Sequence, residues 1–201
     1  MEIYQTTVAS TSDRAALHEA QHLAGRRLLR EVLNCADADI HIQHNGKPYL
    51  PGGPWFSLSH SGEIVLLAVS GLGEIGCDAQ ELRERKNAPA LLKRIASPEE
   101  WDTLRRTPAR ELQSALYRLW VRKEAVAKAC GKGLALEFAS FTVKTTVKTT
   151  VKTGGDCDAA RGCFAGGKQW RVEDLAMPEG YFAAVCAVPE EGSAPCPLLF
   201  L

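Results

Sequence analysis

The sequence lacks an excess of charge of either sign. Its 24 lysines and arginines are balanced by 24 aspartates and glutamates over 201 residues, so the formal net charge is zero. No overall field therefore draws the chain to nucleic acid or to an anionic membrane, and we expect neither as a partner. Any charged partner must be recognised locally.

The sequence also lacks a long hydrophobic run. Its most apolar stretch, Ile64–Val69, is far shorter than the roughly 20 residues that span a bilayer. The opening residues, MEIYQTTVAS, do not show the basic, apolar and small-residue order of a secretory signal. We therefore expect a cytoplasmic protein.

Several catalytic and metal-binding motifs are missing as well. The seven cysteines include no CxxC pair, and no histidine is spaced to complete a zinc site, so we interpret them as reduced and mostly buried. There is no GxxxxGK[ST] loop, which argues against a P-loop phosphotransferase. No convincing Ser-His-Asp or Cys-His set is present, so any nucleophile is expected to come from a partner.

The sequence does contain 45% apolar residues, enough for a real core. Helical periodicity predicts two long helices, at about His18–Leu33 and Arg110–Cys130. A shorter helix is expected to start at Ser97, which is followed by a proline and two glutamates. Alternating or continuous apolar patterns predict strands at Trp55–Ser61 and Glu63–Ser70, which form a hairpin turning at Ser61-Gly62. Further strands are predicted within Gly71–Gln80, at Lys168–Val172 and at Tyr181–Val188.

Each half of the chain thus runs from helix to strands. This order favours an α+β fold of two similar lobes, each a small and mainly antiparallel sheet packed on a long helix, over a parallel βαβ fold. We place the lobes at residues 1–73 and 74–201. The repeat FTVKTTVKTTVKTGG, Phe141 to Gly155, predicts a half-exposed hairpin arm.

The second long helix contains the segment WVRKEAVAKACGKGL, Trp120 to Leu134. At 100° per residue, Lys123 falls inside the apolar stripe, while Glu124 and Lys128 lie one turn apart at its edge. Two explanations stay open: an ordinary surface pair with Lys123 reaching out to solvent, or a functional site. Gly131 is expected to end the helix in the left-handed conformation.

A second group of polar residues occurs in IGCDAQ, where Asp78 and Gln80 project from the same side of a predicted strand. Their carboxylate and amide oxygens, joined by Glu124, would suit Mg²⁺, which prefers oxygen ligands. By itself, an Asp-x-Gln pattern also fits a capped turn or a solvent-facing edge.

Taken in order, FSLSHSG, IGCDAQ and WVRKEAVAKACGKGL resemble the 4′-phosphopantetheinyl transferases of the surfactin-synthetase-activating and AcpT-like group. Likeness in GRRLLREVL, NGKPYL, SPEEW, SFTV and YFAAVCAV extends this resemblance over most of the chain. It implies two similar lobes with the active site in the cleft between them. Residues 1–73 would bind the coenzyme A nucleotide, and residues 74–201 would carry the metal and the catalytic helix.

The resemblance also implies a reaction. Such enzymes move the phosphopantetheine arm of coenzyme A onto a serine of an acyl or peptidyl carrier protein, using Mg²⁺, and release adenosine 3′,5′-bisphosphate. Displacement would occur at the β-phosphate of coenzyme A. Glu124 would be the catalytic base, and Lys128 would offset charge on the leaving group.

Binding roles are likewise implied by the resemblance. The metal ligands would be Asp78, Gln80 and Glu124, with Gln80 the weaker one because many relatives carry a second acid there. The coenzyme-binding residues would be Arg26, Lys47, Ser59, His60, Asp78 and Lys128. Taken alone, His60 could equally be a core histidine. Ser57 stands where relatives often have asparagine, which leaves any role in bracing the backbone open.

The implied partner is an acidic carrier protein. The segment from Arg83 to Arg106, with seven basic and four acidic residues, could receive it, as could the lysines of the repeat arm, although a charged segment is often only a solvated face. We expect a monomer. A non-catalytic coenzyme A or carrier-protein binding module of the same fold is the competing interpretation, and Gln80 is its support.

Overall fold

The computed structural model describes residues 1–143, 162–165, 168–188 and 198–200, and these residues form an α+β fold. Residues 144–155 of the predicted arm lie outside this part. The helices are α1 (Arg14–Leu33), α2 (Ala88–Ile95), α3 (Pro98–Leu104) and α4 (Leu112–Ala129). The strands are β1 (Glu2–Thr7), β2 (His41–Ile42), β3 (Pro48–Tyr49), β4 (Trp55–Ser61), β5 (Ile64–Ser70), β6 (Ile75–Glu81), β7 (Gly162–Ala165), β8 (Lys168–Asp174), β9 (Tyr181–Ala187) and β10 (Leu198–Phe200).

Two four-stranded sheets organise these elements. The first has the order β10-β1-β5-β4 and is antiparallel except where β10 runs parallel to β1. The second has the order β6-β9-β8-β7 and is antiparallel throughout. The hairpin predicted from WFSLSHS is confirmed, because β4 and β5 pair with Ser61 opposite Ile64.

Each sheet packs against one long helix: α1 lies on β1 and β5, and α4 lies on β6, β8 and β9. The similarity of the two halves and their division at residues 73 and 74 remain predictions. Strand β10 departs from that division, because Leu198–Phe200 returns to pair with β1 of the first sheet. No described helix has the length and apolar character needed to cross a membrane.

Local signals explain where the helices begin and end. Helix α1 starts about one turn earlier than predicted because the Asp13 carboxylate accepts hydrogen bonds from the first free N–H groups. Ser97 caps α3 as predicted, with the Glu100 carboxylate closing the capping box. Helix α4 ends as predicted at Gly131, which has a φ of 67°, and the Lys132 N–H reaches the carbonyl of Ala127.

The lysine inside the apolar stripe of α4 is fully buried, so the expectation that Lys123 reaches out to solvent is wrong. Its ammonium lies 2.7 Å from a carboxylate oxygen of Glu100 and also donates to the carbonyls of Phe138 and Phe141. Glu100 additionally accepts the N–H groups of Ser97 and Val143. This network ties α4 to the start of α3 and to the segment that follows α4.

The four cysteines with described side chains form no disulfide with one another, which agrees with the reduced state expected from the sequence. Cys77 and Cys186 are buried, and Cys35 and Cys130 are partly buried. Strand β6 brings Cys77 into the apolar core between the sheets.

Gly76 allows β6 to lie directly against α4. A β-carbon added to Gly76 would lie 2.1 Å from the carbonyl oxygen of Ala125 and 2.4 Å from the amide nitrogen of Ala129. Because both atoms belong to the helix backbone, relief would require the strand and helix to separate. Gly76→Ala is therefore expected to lower the free energy of unfolding by about 1 to 3 kcal/mol.

Urea denaturation would measure this loss, with Gly71→Ala as the matched control. Gly71 has nothing within 4 Å of an added β-carbon, so its replacement should leave stability nearly unchanged. Equal stability of the two variants would contradict the close packing of β6 on α4.

Candidate active site

The polar cluster of the molecule lies where β4 of the first sheet meets β6 and α4 of the second. Asp78, on β6, is only 3% exposed. Its Oδ1 accepts a hydrogen bond from the Ser59 hydroxyl at 2.9 Å and lies 2.8 Å from the Lys128 ammonium. Lys128 also donates to the Ser59 oxygen at 3.0 Å. Three elements thus contribute one side chain each to a closed set of contacts.

Lys128 makes its direct ion pair across the junction and not along its own helix. Burial is the largest single effect and would lower the pKa of Lys128, but the charge and hydrogen bond of Asp78 together with the charges of Cys77 and Glu124 outweigh it, and the pKa is raised. The ammonium therefore stays protonated at neutral pH. The simple surface pair between Glu124 and Lys128 does not describe this geometry, because the nearest carboxylate to the ammonium is Asp78.

Glu124 is half-buried beside the same cluster. Burial raises the pKa of its carboxyl, the negative charge of Asp78 raises it further, and Lys128 partly opposes both. Two neighbouring carboxyl groups in a partly buried site leave negative charge for a cation to neutralise. The amide nitrogen of Gln80 donates to Asp78 Oδ2 at 3.3 Å, so its nitrogen and not its oxygen faces the acid.

These residues fit a magnesium ion. Mg²⁺ is typically held by one or two carboxylates and keeps its other positions for water and substrate phosphates. Asp78 and Glu124 supply the carboxylates. Within the described ranges, no group of three or more His, Cys, Asp or Glu side chains is arranged to hold a metal. Gln80, water or phosphate would therefore complete the ligands.

His60 lies on the other side of β4, facing α1. Its ring centroid is 6.0 Å from that of His18 and 5.8 Å from that of His22, and the last two rings stand 4.4 Å apart. Burial lowers the pKa of His60, and the neighbouring histidines and Lys128 lower it further. Sequence reasoning missed His18 and His22, although their spacing of four within a helix was a usable signal.

A cleft of about 270 Å³ opens beside these histidines, between α1 and the end of β6. Arg14, Arg83 and Arg85 line it together with His18 and His60. The Tyr117 hydroxyl accepts from the Arg85 Nε at 3.1 Å and donates to the Arg83 carbonyl at 3.0 Å, which fixes the arginine-bearing loop. Positively charged side chains outnumber negatively charged ones in the lining of this cleft, so the cleft should attract an anion.

A second cleft, of about 240 Å³, lies at the C-terminal end of α4. Lys47 and Lys128 line it with Ser57 and Gly131. The Lys47 ammonium donates to the carbonyls of Ile75 and Ala129, at 3.2 and 3.0 Å. Its pKa is lowered by burial. Lys47 thus joins the turn before β3 to both β6 and α4.

Arg26 is placed apart from the other predicted site residues. It lies on the exposed face of α1, with its guanidinium 4.0 Å from Asp37, and it lines neither cleft. Of the remaining predicted residues, the structure joins Ser59, Asp78 and Lys128 directly and places Gln80 and Glu124 beside them. Lys47 and His60 line the two clefts.

A carboxylate pair, an amide and a protonated lysine, set between two clefts, have the chemistry that suits a divalent cation together with phosphate oxygens. A family model described as the 4′-phosphopantetheinyl transferase superfamily matches residues 74–186, which contain β6, α4 and all but the last residue of β9. This match covers more than half of the chain. The chain belongs to the 4′-phosphopantetheinyl transferase superfamily.

Curated proteins of similar sequence carry the same description. The chain is 34% identical over 116 residues to the 4′-phosphopantetheinyl transferase AcpT of Salmonella typhimurium, covering 57% of this chain and 60% of that protein. It is 34% identical over 129 residues to HetI of Nostoc sp., covering 59% and 54%. It is 29% identical over 149 residues to psf-1 of Bacillus pumilus, covering 70% and 63%. The chain thus spans less than two thirds of the length of each of these relatives.

Proposed function

We propose that this chain transfers the 4′-phosphopantetheine arm of coenzyme A to a serine of an apo acyl or peptidyl carrier protein and releases adenosine 3′,5′-bisphosphate. The observation that carries the proposal is the contact set of Ser59, Asp78 and Lys128, with Glu124 beside it. The family match and the names of the relatives support the same reaction.

The side chains suggest how the reaction proceeds. Mg²⁺ bound at Asp78 and Glu124 would supply positive charge to the phosphate oxygens of coenzyme A. Glu124, whose pKa is raised, is a better proton acceptor than an ordinary surface glutamate and would take the proton from the partner's serine hydroxyl. Lys128, protonated and held by Asp78, would stabilise charge on the departing bisphosphate.

Coenzyme A carries a pyrophosphate and a 3′-phosphate, which need several cationic partners. We propose that its phosphates lie along the junction between the two clefts and contact Lys128 and His60. The negative charge of a bound phosphate would oppose the burial that lowers the His60 pKa. Arg26, exposed and beside Asp37, would need to change its position to take part.

The partner is proposed to be an acidic carrier protein. Arg83 and Arg85 stand at the mouth of the anion-attracting cleft and begin the basic segment that continues to Arg106. Tyr117, which bonds Arg83 and Arg85, lies two turns before Glu124 on α4. A carrier docked there would present its serine near the proposed base.

A gel assay with coenzyme A labelled on its thiol tests the function. The labelled arm should become covalently attached to an apo carrier protein when Mg²⁺ is present and not when a chelator removes it. A panel of acyl and peptidyl carriers is needed because the preferred partner is undefined. A carrier whose acceptor serine is replaced by alanine is the matched control and should stay unlabelled.

The second candidate is a non-catalytic binding module of the same fold. It is favoured by Gln80, which stands in place of an acid and turns its amide nitrogen to Asp78. Labelled coenzyme A would then bind the protein in a filtration assay and never become attached to any carrier. Binding of coenzyme A without transfer to any carrier would exclude the transferase and support the binding module.

Lys47 gives a further prediction. If its ammonium meets the 3′-phosphate, Lys47→Ala should weaken coenzyme A about ten- to a hundredfold and dephospho-coenzyme A much less, as measured by isothermal titration. The comparison of two proteins with two ligands separates this coupling from general damage. Because the Lys47 ammonium also donates to the carbonyls of Ile75 and Ala129, the Lys47→Ala variant should melt at a lower temperature as well. Equal losses for both ligands would show that Lys47 serves only the junction.

A further inference from the structure

Three serines on one face of β4 are joined to the facing edge of β6. Strand β6 is the last strand of the second sheet, so the N–H groups on its outer edge have no neighbouring strand in that sheet. The hydroxyl oxygens of Ser57, Ser59 and Ser61 accept the N–H groups of residues 77, 79 and 81, at 3.1, 3.2 and 2.9 Å. We call these three contacts the serine ladder.

In the serine ladder, side-chain hydroxyls of β4 take the place of the main-chain carbonyls that would accept these N–H groups from a neighbouring strand. Its period of two follows from the alternation of side chains along a strand, which also sends Phe56, Leu58 and His60 to the opposite face. Ser57 and Ser59 are 5% and 6% exposed, so water does not compete for these bonds. The ladder therefore fixes the position of β6 along β4, and with it the position of Asp78.

The central rung differs from the other two. The Ser59 oxygen accepts both the Ala79 N–H and the Lys128 ammonium, and its own hydrogen is donated to Asp78 Oδ1. A hydroxyl has one hydrogen and two lone pairs, so all of its bonding capacity is used within the protein. Among the residues that the structure describes, Asp78 Oδ2 has one hydrogen-bond contact, the long one from Gln80 at 3.3 Å.

We propose that Ser59 is a positioning residue that acts through Asp78, holding Oδ1 so that Oδ2 faces the cation. Ser57 and Ser61 hold the same strand without touching the carboxylate. The proposal rests on the proposed function for its metal, and it adds to the coenzyme-binding role that the sequence resemblance implies for Ser59.

Manganese binding tests this role without any transfer reaction. Mn²⁺ replaces Mg²⁺ in oxygen sites, and its free concentration is read from its electron paramagnetic resonance signal in the presence of coenzyme A. Ser59→Ala should weaken Mn²⁺ by about tenfold or more, since a hydrogen bond to a charged group is lost. The matched controls Ser57→Ala and Ser61→Ala should change Mn²⁺ affinity less than twofold, although all three variants melt a few degrees lower.

Several outcomes would overturn the proposal. Equal Mn²⁺ affinities in all three variants would show that Ser59 only joins β4 to β6, as Ser57 and Ser61 do. A loss of coenzyme A affinity with Mn²⁺ affinity kept would show that Ser59 contacts coenzyme A and does not position Asp78. Absence of Mn²⁺ binding by the unaltered protein would reject the site itself. If Ser59→Ala does not fold, Ser59→Cys keeps the shape with a much weaker hydrogen bond and should show the same loss.

A failure of the proposed function would give a different combination of results from a failure of the positioning role. If the unaltered protein labels no carrier but Ser59→Ala still loses Mn²⁺, the function is wrong and the positioning role stands. If transfer occurs and Ser59→Ala binds Mn²⁺ as the unaltered protein does, only the positioning role is wrong.

Discussion

Glu124→Gln is expected to lower the rate of arm transfer by about 100-fold or more, because it removes the proposed base and a metal ligand at once. Glutamine keeps the size and helix propensity of glutamate, so α4 should remain intact. The measurement is the initial rate of labelling at saturating coenzyme A and Mg²⁺. Glu111→Gln, an exposed glutamate just before the same helix, is the matched control and should retain the rate.

Unlike the transfer rate, the stability of Glu124→Gln should stay the same or rise slightly. A raised pKa means that ionised Glu124 is less favourable in the folded chain than in the unfolded chain, so its charge costs stability at pH values above that pKa. In the absence of metal, Glu124→Gln should therefore melt at the same temperature as the unaltered protein or slightly higher. The difference should vanish as the pH falls and Glu124 becomes protonated. A retained rate together with a lower melting temperature would show that Glu124 is structural.

Lys123→Met is expected to cause the largest loss of stability. It leaves the carboxylate of Glu100 buried without its cation, and breaking one partner of a buried pair costs about 3 to 5 kcal/mol. For a chain of this size the melting temperature should fall by roughly 6 to 20 °C. Methionine matches the length of the lysine stem, so little of the loss comes from a cavity.

Lys132→Met provides the control for this change. Lys132 is exposed just beyond the end of α4, and the same substitution there should shift the melting temperature by no more than a degree or two. Calorimetry of both variants measures the contrast. If the two melt alike, Lys123 is not paired inside the protein.

Local chemistry explains which elements could be predicted from the sequence. The cap at Ser97, the turn at Gly62 and the left-handed Gly131 depend on a few neighbouring residues, and the structure agrees with all three. Strand β1 was missed because Ile3 and Gln5 are both buried, so its pattern does not alternate between apolar and polar. The sequence did not predict helix α2, because its run of apolar residues is short and interrupted by basic residues.

Contacts between distant segments could not be predicted in the same way. The partner of Lys123 lies 23 positions earlier in the chain, and the pairing of β10 with β1 joins opposite ends of it. The candidate site shows the same limit. Sequence placed Asp78 on a strand and Lys128 on a helix, but the hydroxyl of Ser59 that joins them depends on how the two sheets meet.

Intact-mass measurement of a purified apo carrier protein, after incubation with this protein, coenzyme A and Mg²⁺, tests the central claim most directly. The account predicts that one carrier of the panel gains the mass of a single phosphopantetheine arm, that fragmentation locates the arm on one serine, and that one adenosine 3′,5′-bisphosphate appears for each arm. Omission of Mg²⁺ should abolish the gain. Unchanged masses for every carrier, with Mg²⁺ and coenzyme A present and the protein folded, would contradict the account.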